Sequence, residues 1–159
     1  LSFQALRDER MTVVCSLQHD LFGRRSIQAS QLGRFSMIGF GADLPAGRHL
    51  RRYLKKHGVE PHFTYEPDNI DTMKSMLGVG DQIAILPRRT VQREVAAGTL
   101  GAIDLEPELN RPIGIIYPRQ SSLSAPARAF LDFMVEHADP DALVLGDEHE
   151  EEQRIPLAS

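Results

Sequence analysis

The stretch Ile83-Ala-Ile-Leu-Pro-Arg-Arg-Thr-Val-Gln-Arg-Glu-Val-Ala-Ala-Gly-Thr-Leu100 decides the fold. Ile83 to Leu86 is a continuous apolar run without polar alternation, the pattern of a strand buried on both faces of a parallel sheet. Pro87 ends it, and proline suits a first helical turn, where no N–H is required. Val91, Val95 and Ala96 then supply an inward helical stripe, and Gly98 terminates the element. A strand feeding directly into a helix is the repeating unit of an α/β sheet, so the neighbouring segments should repeat it.

They do so in both directions. Upstream, His62 to Tyr65 alternates like a short strand, and Asp68 or Asn69 is placed to cap a helix carrying Ile70, Met73, Met76 and Leu77, stopped by Gly78 and Gly80. From Ala46, apolar positions recur at Leu50, Tyr53, Leu54 and the stem of His57, while Arg48, Arg51, Arg52, Lys55 and Lys56 fall on the opposite face until Gly58. Phe35 to Phe40 and Met11 to Cys15 read as strands. Downstream, Leu100 to Leu105 and Ile113 to Tyr117 read as two more, separated by the Pro107 to Pro112 stretch. Ser124 then caps a last helix, tolerant of Pro126 in its first turn, with Ala127, Phe130, Leu131, Met134 and Ala138 facing in.

This alternation predicts an α/β fold with a largely parallel sheet covered on both sides by helices of 8 to 14 residues. In such sheets ligands bind beyond the carboxyl ends of the strands, where helix N-termini present free amides. The crevice residues are then Gly41 to Gly47, Pro67 to Asn69 and Leu86 to Arg88.

Composition bounds the function. The 159 residues are 42% hydrophobic and 25% charged, with no apolar run near membrane-span length, which excludes a helical membrane protein, a disordered chain and a fibre. A single cysteine forms no internal disulfide and fits a reducing cytosol. The chain opens on Leu1 with neither a signal nor a transit peptide pattern, and reads as a piece of something longer. Net charge is −4, but the stretch from Asp139 to Ser159 alone carries −6, leaving residues 1 to 138 at +2. That body lacks the basic excess of a DNA-binding domain. The acidic stretch, with Asp147-Glu-His-Glu-Glu-Glu152, reads as a solvated and disordered tail.

Catalytic chemistry finds no foothold. Gly39-Phe40-Gly41 invites a dinucleotide-binding reading, but the third small residue should stand at 44, which is Leu. Cys15 and His19 are about 13 Å apart along an extended strand, too far for a thiol and its base, so an inert buried cysteine is the better reading. The six histidines show no metal-ligand spacing, and neither a Gly-x-Ser-x-Gly elbow nor a phosphate loop is present. No cofactor and no catalytic residue are expected. The basic face of the 46 to 57 helix reads as a solvated surface, without interleaved aromatics for base stacking. Its start is more informative, because Pro45-Ala46-Gly47 offers small side chains and free amides to a carboxylate, with Arg48 nearby and Arg88 or Arg89 as a second cationic partner.

The Ile83 to Leu100 run resembles the signature of the effector-binding domain of LysR-type transcriptional regulators. Several neighbours agree in order and spacing: His19-Asp-Leu, Lys56-His-Gly-Val-Glu-Pro61, Asp68-Asn-Ile-Asp-Thr-Met-Lys74, Arg111-Pro-Ile-Gly-Ile-Ile-Tyr117 and Leu123-Ser-Ala-Pro-Ala-Arg-Ala-Phe-Leu-Asp-Phe133. The resemblance covers residues 1 to about 137 and implies a type II periplasmic-binding-protein-like fold. Its second lobe would be residues 26–110 and its partial first lobe residues 1–25 and 111–137, with 138–159 as the tail.

It further implies a cytoplasmic, non-enzymatic regulator in which a small and often anionic effector lies between the lobes. Self-association and DNA contact through a separate N-terminal module would complete it, with no membrane partner. The effector contacts of the second lobe fall on Leu44, Pro45, Ala46 and Gly47. No hydroxyl or amide side chain stands there, as the family often has, so only backbone amides carry over. Gln82 replaces the second glycine usual before Ile-Ala-Ile-Leu-Pro and stands at the cleft mouth. His62 to Tyr65 and the Ile70 to Leu77 helix are expected near a subunit interface. A free-standing solute-binding protein of the same fold is the competing reading.

Overall fold

The computed structural model describes residues 1–119 and 123–138; the acidic stretch from Asp139 onward lies outside them. Among the described residues two compact units emerge, residues 10–110 and residues 1–9 with those of 111–138. The chain passes between them at Glu9/Arg10 and at Asn110/Arg111.

The 10–110 unit is built on a mixed sheet. Its strands are the second part of β1 (Ser2–Cys15), β2 (Ser26–Gln28), β3 (Ser36–Ile38), β4 (His62–Tyr65), β5 (Ile83–Pro87) and β6 (Gly101–Glu106), in the order β2-β6-β1-β5-β3-β4. β3 runs parallel to β4 and β5, and β2 parallel to β6, whereas β1 is antiparallel to both its neighbours, Val13 facing Ile85 on one side and Ile103 on the other. The sheet is thus less uniformly parallel than expected. All five residues of β5 are buried, as a central strand covered on both faces requires.

Two apolar cores flank this sheet. On one side Leu50, Tyr53 and Leu54 of α1 (Pro45–Lys56) join Val13, Ile85, Ile103, Leu21 and Leu32. On the other, Met73 and Leu77 of α2 (Ile70–Val79) pack with Val14, Ile38, Ala84, Leu86 and Val91. Gly58 ends α1 at φ +69°, a left-handed conformation that costs glycine nothing sterically. Asn69 caps α2, its side chain accepting from the amides of Asp71 and Thr72. Gly78 lies within that helix rather than stopping it, and Gly80 follows its end.

The helix after β5 is shorter than expected. Arg88–Val91 form a 3-10 turn and α3 covers only Gln92–Ala96, with Gly98 beyond it at φ +65°. Val91 is buried, but Val95 is 40% exposed and Ala96 is exposed, so the inward stripe reduces to its first member. A five-residue helix of little over one turn cannot present a long apolar face to the sheet.

In the other unit, β7 (Asn110–Tyr117) pairs with β1, and Gly114 lies so close to Gln4 that an added Cβ would stand 2.3 Å from its carbonyl oxygen. Glu9, only 7% exposed, accepts from Nε and Nη2 of Arg111 at 3.0 and 2.8 Å. α4 (Ala125–Glu136) is capped by Ser124 as its sequence foretold. Of its anticipated inward face only Leu131 is buried; Ala127 and Phe130 are exposed.

Candidate functional site

The carboxyl ends of three parallel neighbours, β3, β4 and β5, open on one edge of the 10–110 unit, with Ile38 aligned to Tyr65 and to Ala84. A helix or helical turn starts after each of them, so three N-termini are available at this edge. They differ in what occupies their amides. At α2 the Asn69 side chain already takes two amides, and Asp71 adds a negative charge to the first turn. After β5 there is only a four-residue 3-10 turn, which lacks a capping side chain and a first-turn acid but is too short to build a helix dipole.

α1 is different. Its N-cap, Leu44, offers no side-chain acceptor, and no acid stands in its first turn. The first intrahelical bond is from Arg48 N to the Leu44 carbonyl, leaving the preceding amides without an acceptor inside the helix. Those unpaired amides and the positive end of the helix dipole favour an anion.

The loop that delivers α1 is tightly built. Gly47 is buried against the preceding turn, and a Cβ there would come within 2.1 Å of the Gly41 carbonyl oxygen and 2.7 Å of that of Phe40. The close approach of loop to helix that a glycine at 44 would signal is therefore made at 47. Leu44 and Ala46 turn their side chains to the apolar core that contains Phe40 and Leu86, so their contribution to a ligand is through the backbone. Pro45 and Arg48 are exposed, and Arg48 donates to the Asp43 carbonyl across the loop.

Arg51 fixes this loop from the next turn. It donates to the Phe40 carbonyl at 2.9 Å, lies 4.5 Å over the Phe63 ring and pairs with Glu66, linking the end of β3 to the end of β4. The helical pattern alone places Arg51 on the solvated face. Nothing in the local pattern separates it from its cationic neighbours, because its partners lie 11 to 15 residues away.

The remaining anticipated residues are not brought together. Arg88 leaves β5 at the correct edge but donates to Asp104 of β6 at 2.6 Å, across β1 from β5 and β3. Asp104 is shared with Arg10 at 3.6 Å, and Arg10 also reaches Glu108. Gln82 precedes β5, at the end of the strand opposite Leu44 to Arg48. His19 accepts from the Leu21 amide through Nδ1 and packs on Phe35, and burial pushes the Cys15 thiol up to about 11. A thiol held protonated is a poor nucleophile.

At the same edge, Lys74 joins α2 to α3. Its ammonium reaches Glu94 at 2.8 Å, Asp71 at 2.9 Å and the Thr90 carbonyl at 3.3 Å. The hydrogen bond to Glu94, then that to Asp71, raises the Lys74 pKa, and the same Lys74 bond lowers that of Glu94. This cation is thus committed to structure. Among the described residues no cluster of His, Cys, Asp or Glu has the makings of a metal site, and no helix is long and apolar enough to cross a membrane.

A mixed sheet whose parallel strands β3, β4 and β5 each lead to a helix or helical turn at one edge is the arrangement of the type II periplasmic-binding-protein-like α/β class. The family described as the LysR substrate binding domain matches residues 1–139, and the chain belongs to it. Among curated proteins it is 26% identical over 136 residues to the RuBisCO operon transcriptional regulator of Acidithiobacillus ferrooxidans, covering 82% of this chain. It is 25% identical over 133 residues to the transcriptional dual regulator GltC of Bacillus subtilis, covering 80% of this chain. The chain spans 43% of the length of each. These relatives are transcriptional regulators, not enzymes.

Solved structures share the fold. The Synechocystis CcmR regulatory domain in complex with 2-PG superposes with a TM-score of 0.76 at 19% identity, over 87% of this chain and 67% of that one. The effector-binding domain of QuiR in complex with shikimate gives 0.76 at 20%, over 86% and 64%.

Proposed function

We propose that this chain is the effector-sensing part of a cytoplasmic transcription regulator and that a small anion binds at the start of α1. The uncapped N-terminus carries this reading. Of the two α-helices that start at this edge, it is the one with no capping side chain, no first-turn acid and a loop held by Gly47 and Arg51. The two neighbours solved with small molecules, 2-PG and shikimate, support an organic acid as the ligand class. Recognition is through the amides of Ala46 and Gly47, with Arg48 beside them and Leu44 and Pro45 shaping the loop that presents them. Gln82 and Arg88 contribute to the surroundings rather than to this cradle, since each is held elsewhere.

Self-association and DNA contact complete the proposal. β4 is the terminal strand of its sheet and is exposed except at Phe63, which makes it, with α2, a candidate surface for a second copy. DNA contact belongs to another part of the regulator, because this domain offers neither a strong basic excess nor a recognition helix of known type.

Calorimetric titration with a panel of small carboxylates and phosphate esters tests the site. Ala46→Pro removes one amide donor where a first-turn proline is tolerated, and should weaken anion binding about tenfold while circular dichroism stays that of the folded chain. Equal affinity in the variant would sink the assignment.

A further inference from the structure

The same helix that starts at the proposed anion site is also fastened to the chain where it leaves the 10–110 unit. His49, one residue past Arg48, places Nε2 2.9 Å from the carbonyl oxygen of Asn110. A carbonyl only accepts, so Nε2 carries the proton and donates. One turn on, on the same face, the Tyr53 hydroxyl donates to the carbonyl of Pro107. Between these anchors Leu109 is buried, and its carbonyl accepts from Met11 N at 2.8 Å, joining the outgoing strand to the incoming one. The next residue after Asn110 is Arg111, whose guanidinium grips the buried Glu9 carboxylate, the last residue before the other crossing.

From these contacts we propose that His49 couples the N-terminus of α1 to the two crossing segments, so that an anion at Ala46–Gly47 and the conformation of residues 109–111 influence each other. The proposal rests on the α1 reading above and adds its regulation. α1 is a 12-residue helix whose core face is fixed by Leu50 and Leu54, so it moves as a unit with its loop. His49 and Tyr53 link it to 107–110, and His49 bonds Asn110, which adjoins Arg111 of the Glu9–Arg111 pair. Coupling of this kind is reciprocal: whatever the anion does to the crossing segments, a change in those segments must do to anion affinity.

Backbone amide chemical shifts of the whole chain test this without knowledge of the effector. Glu9→Gln, which loosens the hold on Arg111, should shift the amides of Arg48 to Leu50 in the wild-type background. His49→Phe keeps a ring of similar size without a donor, and in that background the response at Arg48 to Leu50 should fall to background. His49→Gln, which retains an N–H donor, should restore much of it. A response of equal size in His49→Phe, or none in the wild type, overturns the proposal. Sulfate is then the ligand probe, followed at Ala46 and Gly47. If sulfate binds, Glu9→Gln should alter its affinity about fivefold in the wild type and not in His49→Phe. If sulfate and the organic acid panel leave Ala46 and Gly47 unmoved, the anion site fails, while the Glu9→Gln response still judges the coupling.

Discussion

α1 and α4 are both twelve residues long and both carry a proline in the first turn, yet they are stabilised in different ways. α4 has the better local start, with Ser124 accepting from the amide of Ala127, whereas α1 has no capping side chain at all. α1 nevertheless buries Gly47, Leu50, Tyr53 and Leu54, while α4 buries Leu131 alone and leaves Phe130 and Phe133 at 62% and 52% exposure. Capping contributes about 1 kcal/mol to a helix, but burying a single leucine contributes about 2. The 10–110 unit therefore tolerates an uncapped helix at the proposed ligand edge because packing holds it there. A structural weakness in α1 is what makes its amides available.

The contrast is open to direct attack. Leu54 is fully buried in the core beneath α1, and Leu54→Ala should cost about 2–5 kcal/mol in urea unfolding. A loss under 1 kcal/mol would mean that α1 is not held by its core face. Gly47→Ala comes next. On an isolated helix the change would stabilise by about 1 kcal/mol, but here the new Cβ meets the Gly41 carbonyl, so net destabilisation of about 1–3 kcal/mol is expected. Anion binding should weaken with it, since the loop must open to admit the methyl group.

A smaller effect is confined to alkaline pH. Burial raises the Cys15 thiol from 9.0 to about 11 in the folded chain. Above pH 9 the unfolded chain ionises while the folded chain does not, so this contribution to stability is complete below pH 9 and is lost progressively towards pH 11. Cys15→Ala should flatten the stability profile across that interval relative to wild type. Tyr53, raised from 10.0 to about 12, adds a second decline with the same sign between pH 10 and 12, which the variant retains. A profile unchanged by the substitution would show that the thiol is not sheltered.

Much of the 10–110 unit was legible in sequence because its signals are local or periodic. Ile83 to Leu86 has no polar residue, Asn69 stands directly before an apolar helix, and Gly58 adopts the left-handed conformation that follows a helix end. Ile70, Met73 and Leu77 recur at helical spacing. What escaped was set by partners distant in sequence. The first half of β1 mixes polar and apolar residues, and its extension to Ser2 is stabilised by β7, over a hundred residues later. β2, at three residues, is too short for a period to declare itself, whereas β3 lies inside the apolar Phe35 to Phe40 run. The antiparallel setting of β1 follows from chain path, which alternation of strand and helix does not encode. At the start of α1, the absence of a capping side chain was legible because it depends on what the sequence lacks at Leu44. The diversion of Arg88 to Asp104 was not, since it depends on β6 standing two strands away.

The same distinction between a helical pattern and its cover sets the smallest effect. Phe130 and Leu131 are adjacent in α4 and equally apolar, and a 100° step along the helix turns one out and the other in. Phe130→Ser removes little buried surface and should change stability by under about 0.5 kcal/mol, as for an exposed site away from special features. Leu131→Ala, by contrast, should cost about 2 kcal/mol or more. Comparable losses at the two positions would mean that the Phe130 face is covered in solution, and would put α4 on the same footing as α1. Sedimentation of the two variants then identifies the cover: a fall in mass confined to Phe130→Ser assigns it to a second copy of the chain.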